Sequence, residues 1–374
     1  MAPFHGFINV ASMAIFAEDS DPTMFAQVNY PEQLLVRQLD QYLERGWFRM
    51  GQTIFTTNFL HFKHEFYSAI WLRVDLKRYT EDKVAARLMK QNARFRISIQ
   101  KASLDVAKEE LFAKYRQVKT FEASPSLYHL LYGKSFHNIF NTYEICLFDS
   151  DRLIAAGFFD IGKSSAAGIT SFYDPAYKKN SLGKFLITLK MAHCKQAGLD
   201  FFYPGYFVPG YPFFDYKLQL GNAALQYLEM KSGQWLDIAS FTKSPYDIMR
   251  EKLIELQTAL SGDGVETRLF KYEFFDANLF PELKDAELFD YPVFLNCFAF
   301  DEQMVNPMIV YDVLDDQYRL VQCRSIWTSN LPSTEDGVYS YHLLKIDEEL
   351  ISTIDGKELS QMLRKSVWFK SEKL

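Results

Sequence analysis

The fold is decided by residues 168–220, which read GITSFYDPAYKKNSLGKFLITLKMAHCKQAGLDFFYPGYFVPGYPFFDYKLQL. An extended run at 168–172 is stopped by Tyr173-Asp174-Pro175, because proline lacks a backbone donor and pushes the preceding residue away from helix. A helix is then predicted from about Leu182 to Gln196, since leucines recur on one face and Gly198 follows as a terminator. The segment therefore predicts a strand, a loop, a helix and a second strand.

The loop in this unit is suited to bind an anion. Lys178 precedes the turn Ser181-Leu182-Gly183, which opens the helix. The unpaired amides of a helix's first turn carry the positive end of its dipole, and phosphates bind there readily. The second strand, at 199–208, is broken by Pro204-Gly205, as expected where a strand splays beside a ligand. The sequence predicts a ligand site between the loop and the splayed strand.

This order resembles the central motif of the GNAT acyltransferase fold, with Lys178 in the basic place and Ser181-Leu182-Gly183 as the turn. A wider string resembles the aminoacyl-tRNA-protein transferases, which include arginyl-tRNA-protein transferases and bacterial aspartate/glutamate leucyltransferases. The matching motifs are Phe172-Tyr173-Asp174-Pro175, Gly205-Tyr206, Tyr216-Lys217, the segment LERGWFRMG at 43–51 and the segment DRLIAAG at 151–157. Together they cover roughly residues 34 to 220.

The resemblance implies an α/β (α+β) fold built on a GNAT-like catalytic domain at residues 116–245. Residues 1–115 are predicted to form an amino-terminal α/β domain. Residues 246–374 read as a strand-rich extension of unknown role, with extended runs at 267–275, 293–300, 308–313 and 318–324 and a final helix near 357–367.

The chain also departs from the family pattern. Family members commonly carry a cysteine-rich stretch after the Arg-Gly-Trp segment, but Thr56 to Tyr67 contains no cysteine. The usual Lys-Met pair before Tyr216-Lys217 is Phe213-Phe214, and the basic stretch that often follows is Leu220-Gly221-Asn222. These departures leave substrate choice, and activity itself, open at this point.

Composition limits the classes of partner. The chain has 374 residues, 48% hydrophobic residues and a net charge of -6, which argues against a general nucleic-acid binder. Its charge is uneven, however, with eight basic residues against three acidic ones between Asp75 and Lys101. Lys83, Arg87, Lys90 and Arg94 recur at helical spacing and are predicted to form one basic stripe. A solvated surface explains such a stripe equally well, and the family resemblance favours tRNA.

The candidate site residues follow from the motifs. The resemblance places the acyl acceptor beside Tyr206, Asp215, Tyr216 and Lys217, where a tyrosine would return a proton to the departing ribose oxygen and Asp174 or Asp215 would orient the amine. Lys217, held among aromatic residues, needs a paired or solvated charge, which an acidic substrate residue would supply. Arg49 is expected to assist it from the other domain. The tRNA 3′ end is expected at Lys178 and Ser181-Leu182-Gly183.

No cofactor or metal is expected, and aminoacyl-tRNA would be the co-substrate. His61 and His64 have a spacing that could ligate a metal, but two histidines alone do not complete a site. Scattered cysteines at 146, 194, 297 and 323 fit a reducing compartment, and no apolar run approaches the ~18 residues of a membrane span. A cytoplasmic enzyme is therefore expected. The alternatives are a GNAT N-acyltransferase that uses acyl-CoA and a catalytically silent binding protein.

Overall fold

The computed structural model describes residues 24–63, 65–118, 124–283, 285–296, 305, 307–330 and 336–365. The helices in this part of the chain are α1 Val36–Glu44, α2 Lys83–Gln91, α3 Val106–Gln117, α4 Leu127–Tyr132, α5 Leu182–Gln196, α6 Pro245–Gly262 and α7 Gly356–Lys365. The strands are β1 Ala26–Asn29, β2 Phe48–Met50, β3 Thr53–Thr57, β4 Phe59–Phe62, β5 Glu65–Ser68, β6 Ile70–Asp75, β7 Arg96–Lys101, β8 Thr142–Asp149, β9 Arg152–Ile161, β10 Ser165–Tyr173, β11 Phe201–Phe207, β12 Leu225–Leu228, β13 Trp235–Asp237, β14 Arg268–Tyr272, β15 Val293–Asn296, β16 Met308–Asp312, β17 Gln317–Thr328, β18 Val338–Tyr339 and β19 His342–Thr353.

An eight-stranded sheet forms the centre of the molecule, in the order β13-β12-β6-β11-β10-β9-β8-β7. Its core on one face joins the apolar side of α5 to the sheet, through residues such as Leu182, Phe185 and Phe202. α3 and α4 contribute a second cluster around Phe172. Two strands from before residue 115, β6 and β7, belong to this sheet, so the sheet crosses the predicted boundary there; the division into domains stays a prediction.

The strand, loop, helix and strand unit of the sequence is confirmed. Pairing between β10 and β11 is parallel and joins only Ser165–Ala167 to Phe201–Tyr203, after which both strands continue unpaired with each other. On its other side β11 pairs with β6, with a register shift between Phe202 and Gly205. This is the predicted splay. The unit and the mixture of helices and strands around it confirm the α/β fold class.

Turn chemistry at the start of α5 also follows the prediction. A 3-10 helix at Pro175–Asn180 follows β10, with Asp174 as its cap. Ser181 has a left-handed backbone (φ +53°), and α5 begins at Leu182. The prediction that Ser181-Leu182-Gly183 marks a helix start is therefore confirmed.

The basic helix is shorter than predicted. Asp82 caps α2 by accepting a hydrogen bond from the Ala85 amide, and the helix ends at Gln91. The prediction that one helical stripe includes Arg94 is thus wrong, because Asn92 caps the helix and turns the chain before Arg94. Lys83, Arg87 and Lys90 remain on the exposed side of α2, and Arg94 lies just beyond its end.

The carboxyl-terminal part is strand-rich, as predicted, with a six-stranded sheet in the order β18-β14-β15-β16-β17-β19. Residues 297–300 of one predicted strand and 366–367 of the predicted last helix lie outside the described residues. The helix α6 was not predicted. It covers this sheet through Met249, Leu253 and Leu256, and the same core contains Phe59 and Phe66 from the hairpin β4–β5. The extension and the amino-terminal part therefore share one core.

Candidate active site between the splayed strands

The candidate site is the cleft between β10 and β11, beyond the point where their pairing stops. One wall is the start of α5, and the other is β11 with the 3-10 helix that follows it at Pro212–Gln219. Lys184 in the first turn of α5 donates a 3.0 Å hydrogen bond to Gln219 Oε1 and joins the two walls. The structure thus places the anion loop and the Tyr216-Lys217 segment at one cleft.

The predicted anion loop presents charge and amides to solvent. Lys178, Lys179 and Ser181 are exposed, whereas Leu182 is fully buried and anchors the helix start. The Ser181 hydroxyl makes no capping hydrogen bond to α5. That side chain therefore does not cap the first-turn amides. The positive end of the helix dipole lies beside two exposed lysines, Lys178 and Lys179.

The basic helix is attached to this loop. Gln91 at the end of α2 donates a hydrogen bond of 2.8 Å to the carbonyl oxygen of Lys179. The side-chain amide Nδ2 of Asn92 donates a 3.2 Å hydrogen bond to the backbone carbonyl oxygen of Asn180. In return, Nδ2 of Asn180 donates to Oδ1 of Asn92 at 3.1 Å. The exposed cations of α2 consequently continue into Lys178 and Lys179 as one basic face. Arg94 is partly neutralised, since it lies 3.7 Å from Asp149.

Lys217 is almost completely buried in the cleft. Its Nζ donates a 2.7 Å hydrogen bond to the carbonyl oxygen of Tyr206, and the rings of Tyr206 and Phe214 each lie 5.2 Å away. Burial lowers the pKa of Lys217 to about 7. Among the described residues no carboxylate pairs with it. Because an ammonium has three donors, this group is suited to receive a carboxylate from a bound molecule.

Gly205 lets this arrangement form. Its backbone is left-handed (φ +88°), a conformation that glycine adopts without steric cost. A Cβ atom at this position would lie 3.2 Å from Lys217 Nζ. The glycine therefore supports both the bend of β11 and the close approach of the ammonium.

The tyrosines of the motif line the same region. Tyr206 packs edge-on against Trp71, with ring centroids 5.0 Å apart, and burial raises its pKa. Burial also raises the pKa of Tyr216, to about 12, with Tyr115 as a neighbour. Both phenols hold their protons at neutral pH and can donate them. Asp215, next to Tyr216, is exposed.

Asp174 does not orient an amine, contrary to the prediction. Only 1% of it is exposed, and its Oδ1 accepts from the Ala176 amide at 3.0 Å. Its other oxygen accepts from Lys114 at 2.8 Å and from Arg152. Burial raises the pKa of Asp174, but the hydrogen bond from Lys114 and the nearby cations outweigh it and leave the pKa lowered. The carboxylate is a cap that fixes the turn before the anion loop.

Arg49 does not face the cleft either, so the prediction that it contacts the acceptor is wrong. Its Nη1 forms a 3.0 Å salt bridge with Asp160, in which both side chains are nearly fully buried. The same guanidinium donates to the carbonyl oxygens of Gly51 and Leu131 and lies over the ring of Phe140. Its donors are used within the fold, and it is not brought together with Lys217.

A second buried lysine escaped the sequence analysis. Lys190 of α5 donates to the carbonyl oxygens of Phe158 at 2.8 Å and Thr170 at 2.7 Å, where β10 bulges away from β9. Burial lowers the pKa of Lys190 to about 7. Lys190 lies four residues after Leu186, on the apolar face of α5. This spacing could have predicted from the sequence that the lysine is buried. It holds the bulged strand to the helix.

Metal binding finds no support in the described residues. His61 stacks on Phe66 at 4.4 Å, and His64 lies outside the described residues. No group of three or more metal-ligating side chains occurs in the part of the chain that the structure describes.

None of the helices among the described residues combines the length and the apolarity that crossing a bilayer requires.

Comparison with known proteins places the site within a family. The family model described as "Arginine-tRNA-protein transferase, C terminus" matches residues 107–227. An "Aspartate/glutamate leucyltransferase" of Helicobacter hepaticus is 30% identical over 182 residues, 47% of this chain and 73% of that protein. One of the same name from Leptospira interrogans is 26% identical over 231 residues, 59% of this chain and 88% of that protein. A solved GCN5-related N-acetyltransferase from Kribbella flavida shares 10% identity and a TM-score of 0.23, over 37% of this chain and 48% of that one.

Proposed function

This chain belongs to the aminoacyl-tRNA-protein transferases, and from that premise we propose that it moves leucine or arginine from tRNA to the α-amine of proteins that begin with Asp or Glu. The relatives named leucyltransferases favour this activity over an acyl-CoA-dependent acyltransferase and over a silent binding protein. They also favour acidic acceptors, which their names specify.

The single observation that carries the acceptor assignment is the isolation of Lys217. A buried ammonium that lacks a carboxylate partner is costly, and a carboxylate from outside the chain removes that cost. The side chain of an acceptor Asp or Glu supplies such a group. We therefore propose that Lys217 alone, without Arg49, binds the acidic side chain of the acceptor's first residue.

The reaction itself needs little acid-base assistance. The α-amine of the acceptor, with a pKa of about 7.7 to 8.0, attacks the ester carbonyl of the aminoacyl-tRNA. The new peptide bond forms as the ester bond breaks, and the ribose oxygen leaves with a proton. Tyr206 or Tyr216, whose raised pKa values keep them protonated, is the proposed donor of that proton, and the proton that the attacking amine releases restores the phenol. Positioning by the cleft supplies the remainder.

On the tRNA side, the proposal uses the basic face. Lys83, Arg87 and Lys90 of α2 continue into Lys178 and Lys179 through the contacts of Gln91 and Asn92. Neutralised phosphates supply affinity without sequence preference. The 3′ end of the tRNA, which carries the amino acid, then reaches the start of α5 at Ser181-Leu182-Gly183. The proposed reaction uses no metal or cofactor.

The four scattered cysteines favour a reducing compartment, and we propose the cytoplasm. There the transferred amino acid would mark the amino terminus of the acceptor protein as an N-degron.

The test is a matrix of substrates. Purified protein is incubated with leucyl-tRNA or arginyl-tRNA, each radiolabelled in the amino acid, and with peptides that begin with Asp, Glu or Ala. We expect label in the Asp and Glu peptides from one aminoacyl-tRNA, and little in the Ala peptide. A parallel incubation contains radiolabelled acetyl-CoA in place of the tRNA. Labelling from acetyl-CoA instead, or no labelling from either tRNA, would reject the proposal.

A further inference from the structure

An aromatic cluster adjoins the Lys217 cleft. Phe214, which contacts the Lys217 ammonium, lies 5.9 Å from the ring of Tyr211. The ring of Tyr211 in turn lies 4.6 Å from Phe62 and 5.8 Å from Tyr67. These rings, at 62, 67, 211 and 214, form the aromatic cluster, and all are partly exposed.

The hairpin β4–β5 presents its half of the cluster because of strand alternation. Phe66 and Ser68 of β5 are buried, and Phe66 packs against Phe275 of the extension at 5.5 Å. Glu65 and Tyr67, which alternate with them along the strand, point to the opposite face. Ser68 also accepts a hydrogen bond from the Tyr246 amide at the start of α6. The carboxyl-terminal extension thus holds the hairpin in the position that exposes Phe62 and Tyr67.

The cluster leads into a groove of about 410 Å³ between the hairpin, Pro209-Gly210 and the start of α6. Tyr67 belongs to both. The charges in the groove are mixed, with Lys271 and Glu65 3.0 Å apart and with Asp247 and Arg250 of α6 also in its lining. Arg250 is exposed, and within the described residues its side chain makes no hydrogen bond or ion pair.

We propose that this groove binds the acceptor polypeptide downstream of its first residue, so that the extension is part of the acceptor site. The inference rests on the proposed function, because it takes the first residue of the acceptor to lie at Lys217. Continuity from Lys217 through the aromatic cluster gives the path. Partly exposed rings accommodate an extended chain and its apolar side chains, and Arg250 pairs with a carboxylate or carbonyl of that chain.

The charges of the groove suit a polypeptide better than a nucleic acid. Its lining carries two acids, Glu65 and Asp247, and two bases, Arg250 and Lys271, so it offers phosphates no surplus of cations, whereas Lys178 and Lys179 are exposed in the loop before α5. A nucleic acid on the aromatic cluster would stack its bases there. That is the competing occupant, and kinetics distinguish the two.

The experiment measures kcat/KM for a two-residue acceptor, Asp-Ala amide, and for a ten-residue peptide that begins with Asp-Ala. Tyr67→Ala and Arg250→Ala, at two residues that line the groove, are compared with Phe280→Ala and Lys252→Ala as controls, since Phe280 is exposed in the extension and Lys252 lies near Arg250 on α6. Within the described residues no ring contact or ion pair joins Tyr67 or Arg250 to Phe214, whose ring neighbours are Tyr206, Tyr211 and Phe213, so these variants separate the groove from the Lys217 cleft.

We expect each groove variant to lower kcat/KM for the long peptide by about 10-fold, as truncation of an interface anchor does, and to leave the short acceptor within about 2-fold. Equal loss for both acceptors, or a raised KM for aminoacyl-tRNA, would overturn the groove assignment. So would equal use of both acceptors by the wild-type protein. Transfer to neither acceptor by wild-type protein would instead reject the proposed function, and this inference with it.

Discussion

Arg49 and Asp160 form a salt bridge of 3.0 Å across 111 positions of the chain, and both side chains are almost completely buried. Thr142 donates a further hydrogen bond of 2.6 Å to the same carboxylate. The bridge joins β2, in the Arg-Gly-Trp segment, to β9 of the central sheet. Arg49, which was expected to contact the acceptor, therefore links two sheets inside the fold.

Arg49→Met is expected to reduce stability and to leave acceptor preference unchanged. Methionine keeps much of the volume, but Asp160 loses its cation, and such breakage of a buried pair costs about 3 to 5 kcal/mol. Urea unfolding measures the loss. A variant as stable as wild type that fails only on Asp- and Glu-initiated peptides would return Arg49 to the substrate site.

Lys217→Met is expected to act on acidic acceptors alone. A charge-assisted hydrogen bond is worth about 1.5 to 3 kcal/mol, which corresponds to about a 10- to 100-fold loss in kcat/KM for Asp- and Glu-initiated peptides. The Ala-initiated peptide should change little. Lys134→Met, at an exposed lysine, is the control. Equal losses for Asp and Ala peptides would show that Lys217 supports the fold or the tRNA end.

The pH dependence of transfer should differ between acceptors. Lys217 loses its proton as the pH rises through about 7, whereas the acceptor amine becomes reactive as the pH rises through about 7.7 to 8.0. With Asp-initiated peptides, kcat/KM should pass through a maximum between these values and then decline. With Ala-initiated peptides it should rise to a plateau, because only the amine titrates. Identical profiles for the two peptides would contradict the role of Lys217.

Charge removal on α2 should weaken tRNA binding without regard to tRNA sequence. Replacing Lys83, Arg87 and Lys90 by glutamine is expected to flatten the dependence of log K on log salt by about one unit per lost contact. Adding Arg94→Gln should contribute less, because Asp149 already partly neutralises that side chain. Glutamine at Lys134, Lys231 and Lys243, all exposed, is the control triple. An unchanged slope in the α2 variant would make this face ordinary solvated surface.

The sequence by itself determined the features that depend on neighbours along the chain. Asp174-Pro175 ends a strand through the geometry of proline, and the leucine spacing after Ser181 specifies a helix, so β10, α5 and β11 were predicted with small errors in their bounds. The splay at Pro204-Gly205 followed from the same local chemistry. The helix start that follows the predicted anion loop was also predicted from local sequence.

The tertiary structure alone decided how each charge is used. Arg49, Asp174 and Lys217 all stand in family-like motifs, yet two are neutralised by residues such as Asp160 and Lys114, and Lys217 is buried with a carbonyl only. The end of α2 likewise depends on Asn92, which contacts Asn180 of the anion loop. Periodicity and turn chemistry extend over a few residues, whereas the energy of a charge depends on burial and on partners that lie 111 positions away for Arg49 and 60 positions away for Asp174. These long-range contacts exist only once the sheets have packed.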